Sequence, residues 1–319
     1  MKIKAVLNRD GGTFKTTDMQ TYCDRAIRAF AARGHELDCT VVAGDEVVEA
    51  LERAVATPGI DAMLAGGGDG TISTAAAVAW RAKLPLGVIP AGTMNLFARS
   101  LALPLDIWKV LDVLANAEFA DVDISTANGR PFVHQFSAGL HARMVRMRNQ
   151  MDFASRLGKM RASTSAAFGV MLDPPRFDVV FDIDGDGKGE ERPVSAISVS
   201  NNPLGNNSLF FADRVDTGKL GVYVADPLEP TGVGKLAFDI IRGKFKENEA
   251  VTASTAQKIL LHFPKHRKGA ACVLDGELLR MPADVEIKIH AAALKVLKPQ
   301  PVACGKGARN SPGANGLNG

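Results

Sequence analysis

The sequence has few of the features that are typical of disulfide-rich secreted proteins or of nucleic-acid-binding proteins. Its 319 residues include four cysteines, and none of them has Cys-x-x-Cys spacing. This argues against a zinc site and against a disulfide framework, and it fits a reducing cytoplasm. A net charge of +3 is too small to indicate a nucleic-acid partner. The cysteines are Cys23, Cys39, Cys272 and Cys304.

Long apolar runs are also missing. No stretch approaches the roughly 18 apolar residues that a transmembrane helix needs, and Met1 to Lys4 lead directly into a strand. We therefore expect neither a signal peptide nor a membrane-spanning helix, so that any membrane contact would be peripheral. The sequence also lacks the motif Gly-x-x-x-x-Gly-Lys followed by Ser or Thr, which excludes a Walker P-loop.

A glycine-rich loop organises the chain. The short apolar run 62–65 leads into Gly66–Thr71, which reads Gly-Gly-Gly-Asp-Gly-Thr, and an alanine-rich helical segment follows at Ile72–Trp80. A strand, a glycine loop and a helix start present backbone N–H groups to a phosphate. Glycine permits close approach of the backbone, and an aspartate among such amides suggests a bound metal ion. The alternative is a tight turn between a strand and a helix.

Two further motifs narrow the family. Pro90–Arg99 reads Pro-Ala-Gly-Thr-Met-Asn-Leu-Phe-Ala-Arg, and Leu274–Leu278 reads Leu-Asp-Gly-Glu-Leu. With the glycine loop, and in this order, they resemble the diacylglycerol kinase catalytic family, the bacterial lipid kinases that also include sphingosine and ceramide kinases. The resemblance extends from Val6 to about Leu297. The glycine loop by itself is shared with NAD kinases and, loosely, with phosphofructokinases.

A change in the pattern of apolar runs near residue 123 predicts two domains. In residues 1–125, strands alternate with helices, which indicates a parallel α/β sheet with ligands beyond the carboxyl ends of its strands. In residues 126–303, short alternating runs predict an antiparallel β-sandwich without intervening helical units. The resemblance implies the same fold, with a nucleotide-binding first domain and the active site in the interdomain cleft. The predicted strands are 2–7, 36–42, 62–65 and 86–89, then 132–138, 177–183, 194–200, 220–225, 258–263, 271–274 and 285–290; the predicted helices of the first domain are 18–33, 44–56, 72–80 and one from about residue 95.

The length and composition fit this division. A hydrophobic content of 46% supplies enough apolar side chains for two modest cores. The last apolar run, 293–297, could return to the first domain. Residues 304–319 contain few apolar side chains, and we expect them to be disordered.

The resemblance implies ATP as the phosphate donor and Mg²⁺ as the metal ion. The loop Asn8–Thr13 resembles the family's Asn-Pro-x-x-Gly loop, which touches the nucleotide, although the proline is absent; a plain surface turn is the alternative. Thr71 would reach a phosphate oxygen or would only cap the following helix. Thr93 resembles the family threonine that faces the nucleotide. The candidate nucleotide-binding residues are Asn8, Gly12, Gly66, Gly67, Gly68, Asp69, Gly70, Thr71, Gly92, Thr93 and Asn95.

Asp69 and Glu277 are the candidate catalytic residues. Phosphoryl transfer needs the developing charge to be neutralised by Mg²⁺, which Asp69 would hold directly or through water. In the family, the glutamate of the Asp-Gly-Glu motif takes the proton of the lipid hydroxyl, and Glu277 has that position. The alternative for Asp275 and Gly276 is a hairpin turn, for which Asp-Gly is a common signal.

A second metal site is implied by the segment Asp213–Leu220, which resembles the family's Asp-Asp-Gly-x-Leu. There an aspartate and flanking carbonyl groups hold a structural Mg²⁺. This chain has Thr217 immediately before Gly218, and it also departs from the family at Leu96 and at Ser73-Thr74, where the family has acidic or amide side chains. The candidate metal residues are Asp69, Arg214, Asp216, Thr217 and Lys219.

A basic stretch at 143–161 combines arginines and lysine with apolar residues at helical spacing. Such a helix suits an anionic membrane surface. The alternative is a helix that buries its methionines in the core. A second basic cluster, Lys265–Lys268, reads as a solvated loop.

These observations predict an ATP- and Mg²⁺-dependent lipid kinase that phosphorylates a hydroxyl of a membrane lipid. Diacylglycerol is the default acceptor, followed by ceramide, a sphingoid base or phosphatidylglycerol. We expect a cytoplasmic protein that associates peripherally with the inner face of the membrane and binds no nucleic acid. The sequence leaves open whether the protein forms a homodimer. The alternatives are an NAD kinase and a non-catalytic lipid-binding or regulatory protein.

Overall fold

The computed structural model describes residues 1–149, 173–185, 187, 189–207, 209–265 and 270–299. Its N-terminal part is built on four parallel strands, β1 (Lys2–Asn8), β2 (Glu36–Val42), β3 (Ala62–Gly67) and β4 (Leu86–Pro90). They lie in the order β2-β1-β3-β4, so the glycine loop follows a central strand. β3 and β4 are buried along their whole length, which explains their unbroken runs of apolar residues and glycine.

Helices pack on the two faces of this sheet and close the first core. The helices are α1 (Met19–Ala31), α2 (Val47–Val55), α3 (Asp69–Ala82), α4 (Leu96–Ser100) and α5 (Lys109–Ala115). α1 begins within one residue of its predicted start, whereas α2 begins three residues later and α3 three residues earlier than predicted. α1 follows Asp18, whose carboxylate accepts the backbone N–H of Gln20 at 3.1 Å and the Thr21 hydroxyl at 2.6 Å. Short 3₁₀ helices lie at Gly12–Thr16 and Gly44–Glu46.

Two long strands carry this sheet into the second half of the molecule. β5 (Glu118–Ala127) pairs antiparallel with the last described strand, which we label β16 (Asp284–Lys298). Near its C-terminal end β16 also pairs in parallel with β4, through Val296 and Leu86. Its N-terminal part pairs with β13 (Lys258–His262), and the sheet continues through β8 (Phe177–Ile183) to β9 (Glu190–Val194), while the short β6 (Arg130–Phe132) pairs with β5. The predicted domain boundary at 125/126 falls within β5, and it stays a prediction.

A second sheet of antiparallel strands packs against the C-terminal part of the first. Its described strands lie in the order β12-β11-β10-β7-β14-β15, with bounds β7 (Gln135–Gly139), β10 (Ala196–Ser200), β11 (Leu220–Ala225), β12 (Val251–Ala256), β14 (Ala271–Leu274) and β15 (Glu277–Arg280). Phe136, Val199 and Val222 of this sheet share a buried cluster with Val179 and Ile259 of the other. The predicted α/β architecture with an antiparallel sandwich is therefore confirmed.

The prediction that the sandwich contains no helical unit between its strands is wrong. Besides α6 (Leu140–Asn149), which covers the first part of the predicted basic helix, a helix α7 (Pro230–Ile241) follows β11. Its sequence contains Gly232 and Gly234, which lower helix propensity and hide the helical pattern. Leu236 anchors α7 in a cluster with Tyr223 and Phe245, so tertiary packing outweighs the weak local preference.

Several strand bounds also differ from the prediction. The predicted strand 132–138 is divided into β6 and β7, because the chain turns at Val133 and His134 from one sheet to the other. β9 and β12, which the sequence does not predict, are the last strands at two sheet edges. The charged residues of β9 and the small polar residues of β12 conceal them. The predicted tail and most of the predicted basic helix lie outside the described residues.

The expectation of reduced cysteines is wrong for one pair. Cys23 on α1 and Cys39 on β2 form a disulfide, and their Cα atoms lie 6.0 Å apart. The spacing of these two cysteines in the sequence does not predict the disulfide, because the two residues come together only when α1 packs on β2. Cys272 is a buried free thiol, and burial raises its pKa to about 11. Cys304 lies outside the described residues.

None of the helices in the described part of the chain has both the length and the apolar character needed to cross a lipid bilayer.

Candidate active site

Three loops meet at the carboxyl edge of the parallel sheet, after β1, β3 and β4. Thr13 donates its backbone N–H to Ala91 O at 2.8 Å. A Cβ atom on Gly12 would lie 2.6 Å from the same oxygen, and one on Gly92 would lie 2.8 Å from the Cα of Gly68. Glycine is therefore required at 12 and 92 because neighbouring backbone passes too closely for a side chain.

The glycines of the central loop divide into two pairs. A Cβ on Gly66 would meet the Leu7 side chain at 2.6 Å, and one on Gly67 would meet the Thr71 Cβ at 2.6 Å. Gly68 and Gly70, by contrast, have no atom closer than 3.7 Å to such a Cβ. Gly66 and Gly67 therefore allow close packing of neighbouring side chains. The phosphate-binding role predicted for the whole loop is best supported at Gly68, Asp69 and Gly70, which lie at the N-terminus of the 14-residue helix α3.

Asp69 connects the glycine loop to the second motif. Its carboxylate accepts the backbone N–H of Asn95 at 3.0 Å and that of Leu96 at 2.6 Å. Asn95 has a positive φ of 52°, and its side chain binds both backbone polar groups of Gly92, at 2.8 and 2.9 Å. An ionised carboxylate has acceptor capacity beyond two hydrogen bonds, so Asp69 can still face a metal ion. Asp69 and Asn95 are thus brought together, and Leu96 contributes its backbone where the family has an acid.

The first loop supports Thr71. Asn8 donates its side-chain N–H to the Thr71 hydroxyl at 3.0 Å, and its other side-chain atom accepts the N–H of Asp10 at 2.9 Å. The hydroxyl of Thr71 keeps its own proton for a further acceptor. Because α3 begins at Asp69 and its N-cap is Gly68, Thr71 is not the residue that caps the helix. Thr93 is exposed on the neighbouring loop.

The Asp-Gly-Glu motif forms the turn between β14 and β15. Asp275 and Gly276 both have positive φ, 45° and 85°, and Leu274 pairs with Glu277 across the hairpin. The hairpin interpretation is therefore correct as local structure. It does not exclude a catalytic role, because the position of this turn is set by Asp275.

Asp275 is a candidate positioning residue, to which the sequence analysis assigns no role beyond a hairpin turn. One carboxylate oxygen accepts the Ser73 hydroxyl of α3 at 2.6 Å and the N–H of Val133 at 2.9 Å. The other accepts the N–H groups of His134 at 2.9 Å and Gln135 at 3.0 Å. Burial raises the pKa of this carboxyl, against the effect of these four hydrogen bonds. Asp275 thereby fixes the hairpin turn beside the first turns of α3.

Glu277 lies on the same turn, two residues further. Its side chain is 60% exposed and forms an ion pair with Arg130 of β6. Since Asp275 contacts α3 through Ser73, the turn that carries Glu277 lies beside the N-terminal part of α3. The role of Glu277 as the base stays a prediction.

His134 lies between the two sides. Burial lowers the pKa of its imidazole to about 4, and the charge of Asp69 opposes this shift. The imidazole is therefore neutral at neutral pH, and its backbone N–H is one of the donors to Asp275. The sequence gives no signal for this histidine beyond its position before β7.

In the candidate structural metal segment, Asp216 and Thr217 bind to other protein groups. Arg214 pairs with Asp216 at 3.0 Å and lowers the pKa of that carboxyl. The Thr217 hydroxyl donates to Asn202 Oδ1 at 2.6 Å. Among the described residues, no three His, Cys, Asp or Glu side chains are grouped as they would be around a metal ion. The metal roles of Arg214, Asp216, Thr217 and Lys219 stay predictions.

Comparison with known proteins agrees with the motifs. The model of the diacylglycerol kinase catalytic domain matches residues 2–127, which include the loops after β1, β3 and β4. The N-terminal part of the chain is therefore similar to the diacylglycerol kinase catalytic domain. Curated diacylglycerol kinases of Staphylococcus aureus strains JH9 and Newman are each 28% identical to it over 218 residues, which is 68% of this chain and 68% of theirs.

Solved structures show the same fold over nearly the whole chain. A diacylglycerol kinase from Bacillus anthracis str. Sterne has a TM-score of 0.68 at 17% sequence identity, covering 94% of this chain and 97% of that one. A second structure from the same organism, assigned provisionally to the same kind of enzyme, has a TM-score of 0.74 at 20% identity, covering 94% and 95%. The family model and the curated relatives support a kinase, whereas the solved structures support the fold.

Proposed function

We propose that this protein is an ATP- and Mg²⁺-dependent lipid kinase that transfers the γ-phosphate to a hydroxyl of a membrane lipid, with diacylglycerol as the default acceptor. The observation that carries the proposal is the bond between Asp275 and Ser73, because it sets the turn with Glu277 beside the helix that begins at the glycine loop. A nucleotide and an acceptor hydroxyl would then meet between them.

On the nucleotide side, the N–H groups at Gly68–Gly70 and the N-terminus of α3 bind phosphate oxygens. Thr71, oriented by Asn8, donates its hydroxyl proton to one of them. Asp69 is the residue that would hold Mg²⁺, which supplies neutralisation of the charge that develops on the transferred group. The same carboxylate keeps the loop after β4 in place, so binding and positioning depend on one side chain.

On the acceptor side, Glu277 acts as the general base. As the lipid hydroxyl oxygen attacks the γ-phosphorus, its proton passes to the Glu277 carboxylate and ADP leaves with the electrons of the broken P–O bond. The ion pair with Arg130 orients the Glu277 side chain. His134, which burial keeps neutral, donates its backbone N–H to Asp275, and Asp275 positions the turn that carries Glu277.

Peripheral contact with the inner face of the membrane would bring the acceptor to the site. Two large apolar side chains on α7 support such a contact, since Phe238 is 56% and Ile241 73% exposed. Arg242 lies over the Phe238 ring at 5.4 Å, an arrangement that suits the boundary between lipid and water. Arg143, in the predicted basic helix, pairs with Asp173 and is less available to lipid headgroups than the sequence suggests.

One assay tests the proposal. The protein is incubated with γ-labelled ATP, Mg²⁺ and vesicles containing diacylglycerol, ceramide, a sphingoid base or phosphatidylglycerol, with NAD as a separate acceptor. Label in a phospholipid product is the expected result. Label in NADP would favour the NAD kinase, and binding of lipid without any labelled product would favour a non-catalytic lipid-binding protein.

A further inference from the structure

The polar groups of the segment that resembles a structural Mg²⁺ site bind to protein. Asn202 Oδ1 accepts both the Thr217 hydroxyl at 2.6 Å and the Thr217 backbone N–H at 3.1 Å. The hydroxyl oxygen in turn accepts the N–H of Lys219 at 3.3 Å. Thr217 occupies the position at which the family has an aspartate. Its hydroxyl proton and one acceptor site of its hydroxyl oxygen are therefore already used in hydrogen bonds within the protein.

A buried carboxylate holds the next residue of the segment. Asp123 on β5 is 1% exposed and accepts the N–H of Gly218 at 2.7 Å and that of Ala292 at 2.8 Å. Ala292 lies in the irregular part of β16, where the pairing with β5 shifts register. Asp123 therefore fastens the segment to two strands of the large sheet.

Asn201 completes the arrangement. It donates its side-chain N–H to Asp123 O at 2.9 Å and accepts the Ser125 hydroxyl at 2.7 Å. We call Asp123, Asn201, Asn202 and Thr217 the polar joint. The first three are at most 3% exposed, so each of their hydrogen bonds is protected from water.

The polar joint does not fit a divalent cation. Mg²⁺ requires octahedral oxygen ligands, several of them carboxylate or water. Asp216, the carboxylate of the segment nearest to Thr217 in sequence, pairs with the Arg214 guanidinium, which would repel a cation there. In the part of the chain that the structure describes, no group of three His, Cys, Asp or Glu side chains could hold a metal.

We infer that the polar joint takes the place of a structural divalent cation in this protein, so that the segment Asp213–Leu220 is held by hydrogen bonds alone. The joint is also linked to the candidate active site. Asn201 donates its backbone N–H to His134 O at 2.9 Å, and the N–H of His134 binds Asp275. A metal-independent joint thereby supports the turn that carries Glu277.

The first test counts metal sites without using catalysis. Mn²⁺, which replaces Mg²⁺ and is visible by electron paramagnetic resonance, is titrated into Asp69→Asn, a variant that lacks the candidate nucleotide-side ligand. We expect no bound Mn²⁺, and a melting temperature of this same variant that is equal in excess Mg²⁺ and in EDTA. One tightly bound Mn²⁺ per chain in Asp69→Asn, or a melting temperature several degrees lower in EDTA, would overturn the inference.

The second test removes the Thr217 hydroxyl. Thr217→Val keeps the shape of the side chain and leaves Asn202 Oδ1 short of a donor, so the melting temperature should fall by about 2–4 °C. Thr217→Ser retains the hydroxyl and should melt close to the wild type. A valine variant as stable as the serine variant would show that the joint does not hold the segment. If Thr217→Val fails to fold, the Mn²⁺ count on Asp69→Asn decides alone.

Discussion

The two sides of the candidate site are built in different ways. The loops after β1, β3 and β4 are shaped by backbone, because the glycines at 12, 66, 67 and 92 let neighbouring segments approach too closely for side chains. The turn between β14 and β15 is placed by one side chain, since Asp275 collects four hydrogen bonds from α3 and from the start of β7. The nucleotide side is thus a local construction, whereas the acceptor side depends on contacts between distant parts of the chain.

This difference predicts that a substitution of Glu277, on the acceptor side, lowers the rate of phosphoryl transfer without changing nucleotide binding. In Glu277→Gln we expect kcat to fall by about 10²–10⁴ because the base is lost, while ATP affinity is unchanged. Calorimetric titration of nucleotide and lipid phosphorylation are measured on one preparation. Glu249→Gln, an exposed glutamate paired with Lys235, is the matched control and should be silent. Full activity of the Glu277 variant would show that Glu277 is not the base. A loss of ATP affinity would indicate instead that Glu277 has a metal-binding or structural role.

On the nucleotide side, Asp69 positions the loop after β4 and is also the proposed ligand of Mg²⁺. Asp69→Asn removes the charge and also turns an N–H group towards one of the two backbone donors at Asn95 and Leu96. We expect the rate to fall by roughly 10² or more, with a higher Mg²⁺ requirement. The rate is measured across a Mg²⁺ titration. Near-normal turnover at limiting Mg²⁺ would contradict this assignment.

His134 lies between the two sides and makes stability sensitive to acid. Its folded pKa of about 4 is below the usual value of 6.5, so the folded state binds fewer protons between these values and loses stability as pH falls through that window. Over the whole window the loss amounts to about 3 kcal/mol. In His134→Gln the free energy of unfolding, measured in urea at pH 7 and pH 4.5, should depend less on pH. His262→Gln, at an exposed histidine of β13, serves as the control. Equal pH dependence in wild type and His134→Gln would show that this imidazole is not buried as described.

The smallest expected effect concerns the bond that connects the two sides. Ser73→Ala leaves Asp275 with three of its four donors, which should cost about 1 kcal/mol of stability. Because the turn with Glu277 is then less firmly placed, kcat should fall several-fold with little change in ATP affinity. Thr74→Ala removes the neighbouring hydroxyl, which bonds to Gly70 O within the same helix, and is the matched control. Identical kinetics for the two variants would mean that Ser73 does not position the turn.

What the sequence predicts well is the local construction. β2, β8, β11 and β14 have the predicted bounds, and the strand, glycine loop and helix around Asp69 follow from residues that are neighbours in the chain. The glycine spacing does not reveal that Gly66 and Gly67 serve packing while Gly68 and Gly70 are open. That distinction depends on where Leu7 and Thr71 lie in the folded protein.

The acceptor side is less predictable because its contacts are not local. Nothing in the residues around Asp275 indicates that its partners are Ser73 and the N–H groups of residues 133–135. The pairing of Glu277 with Arg130, and of Cys23 with Cys39, likewise arises when strands and helices pack. α7 is missed for the opposite reason, since its glycines mask a helix that the surrounding core stabilises.

β16 has a consequence for the order in which the molecule is made. During synthesis β4 emerges early, with β3 already present on one side. Its partner on the other side is the C-terminal part of β16, which is the last described strand. Until then, the growing chain exposes an apolar strand edge without its partner, the kind of surface on which unfinished chains aggregate. A chain that stops before Asp284 lacks this strand altogether. We therefore expect the parallel sheet to become stable only after β16 has been synthesised, although the motifs of that sheet lie far earlier in the chain.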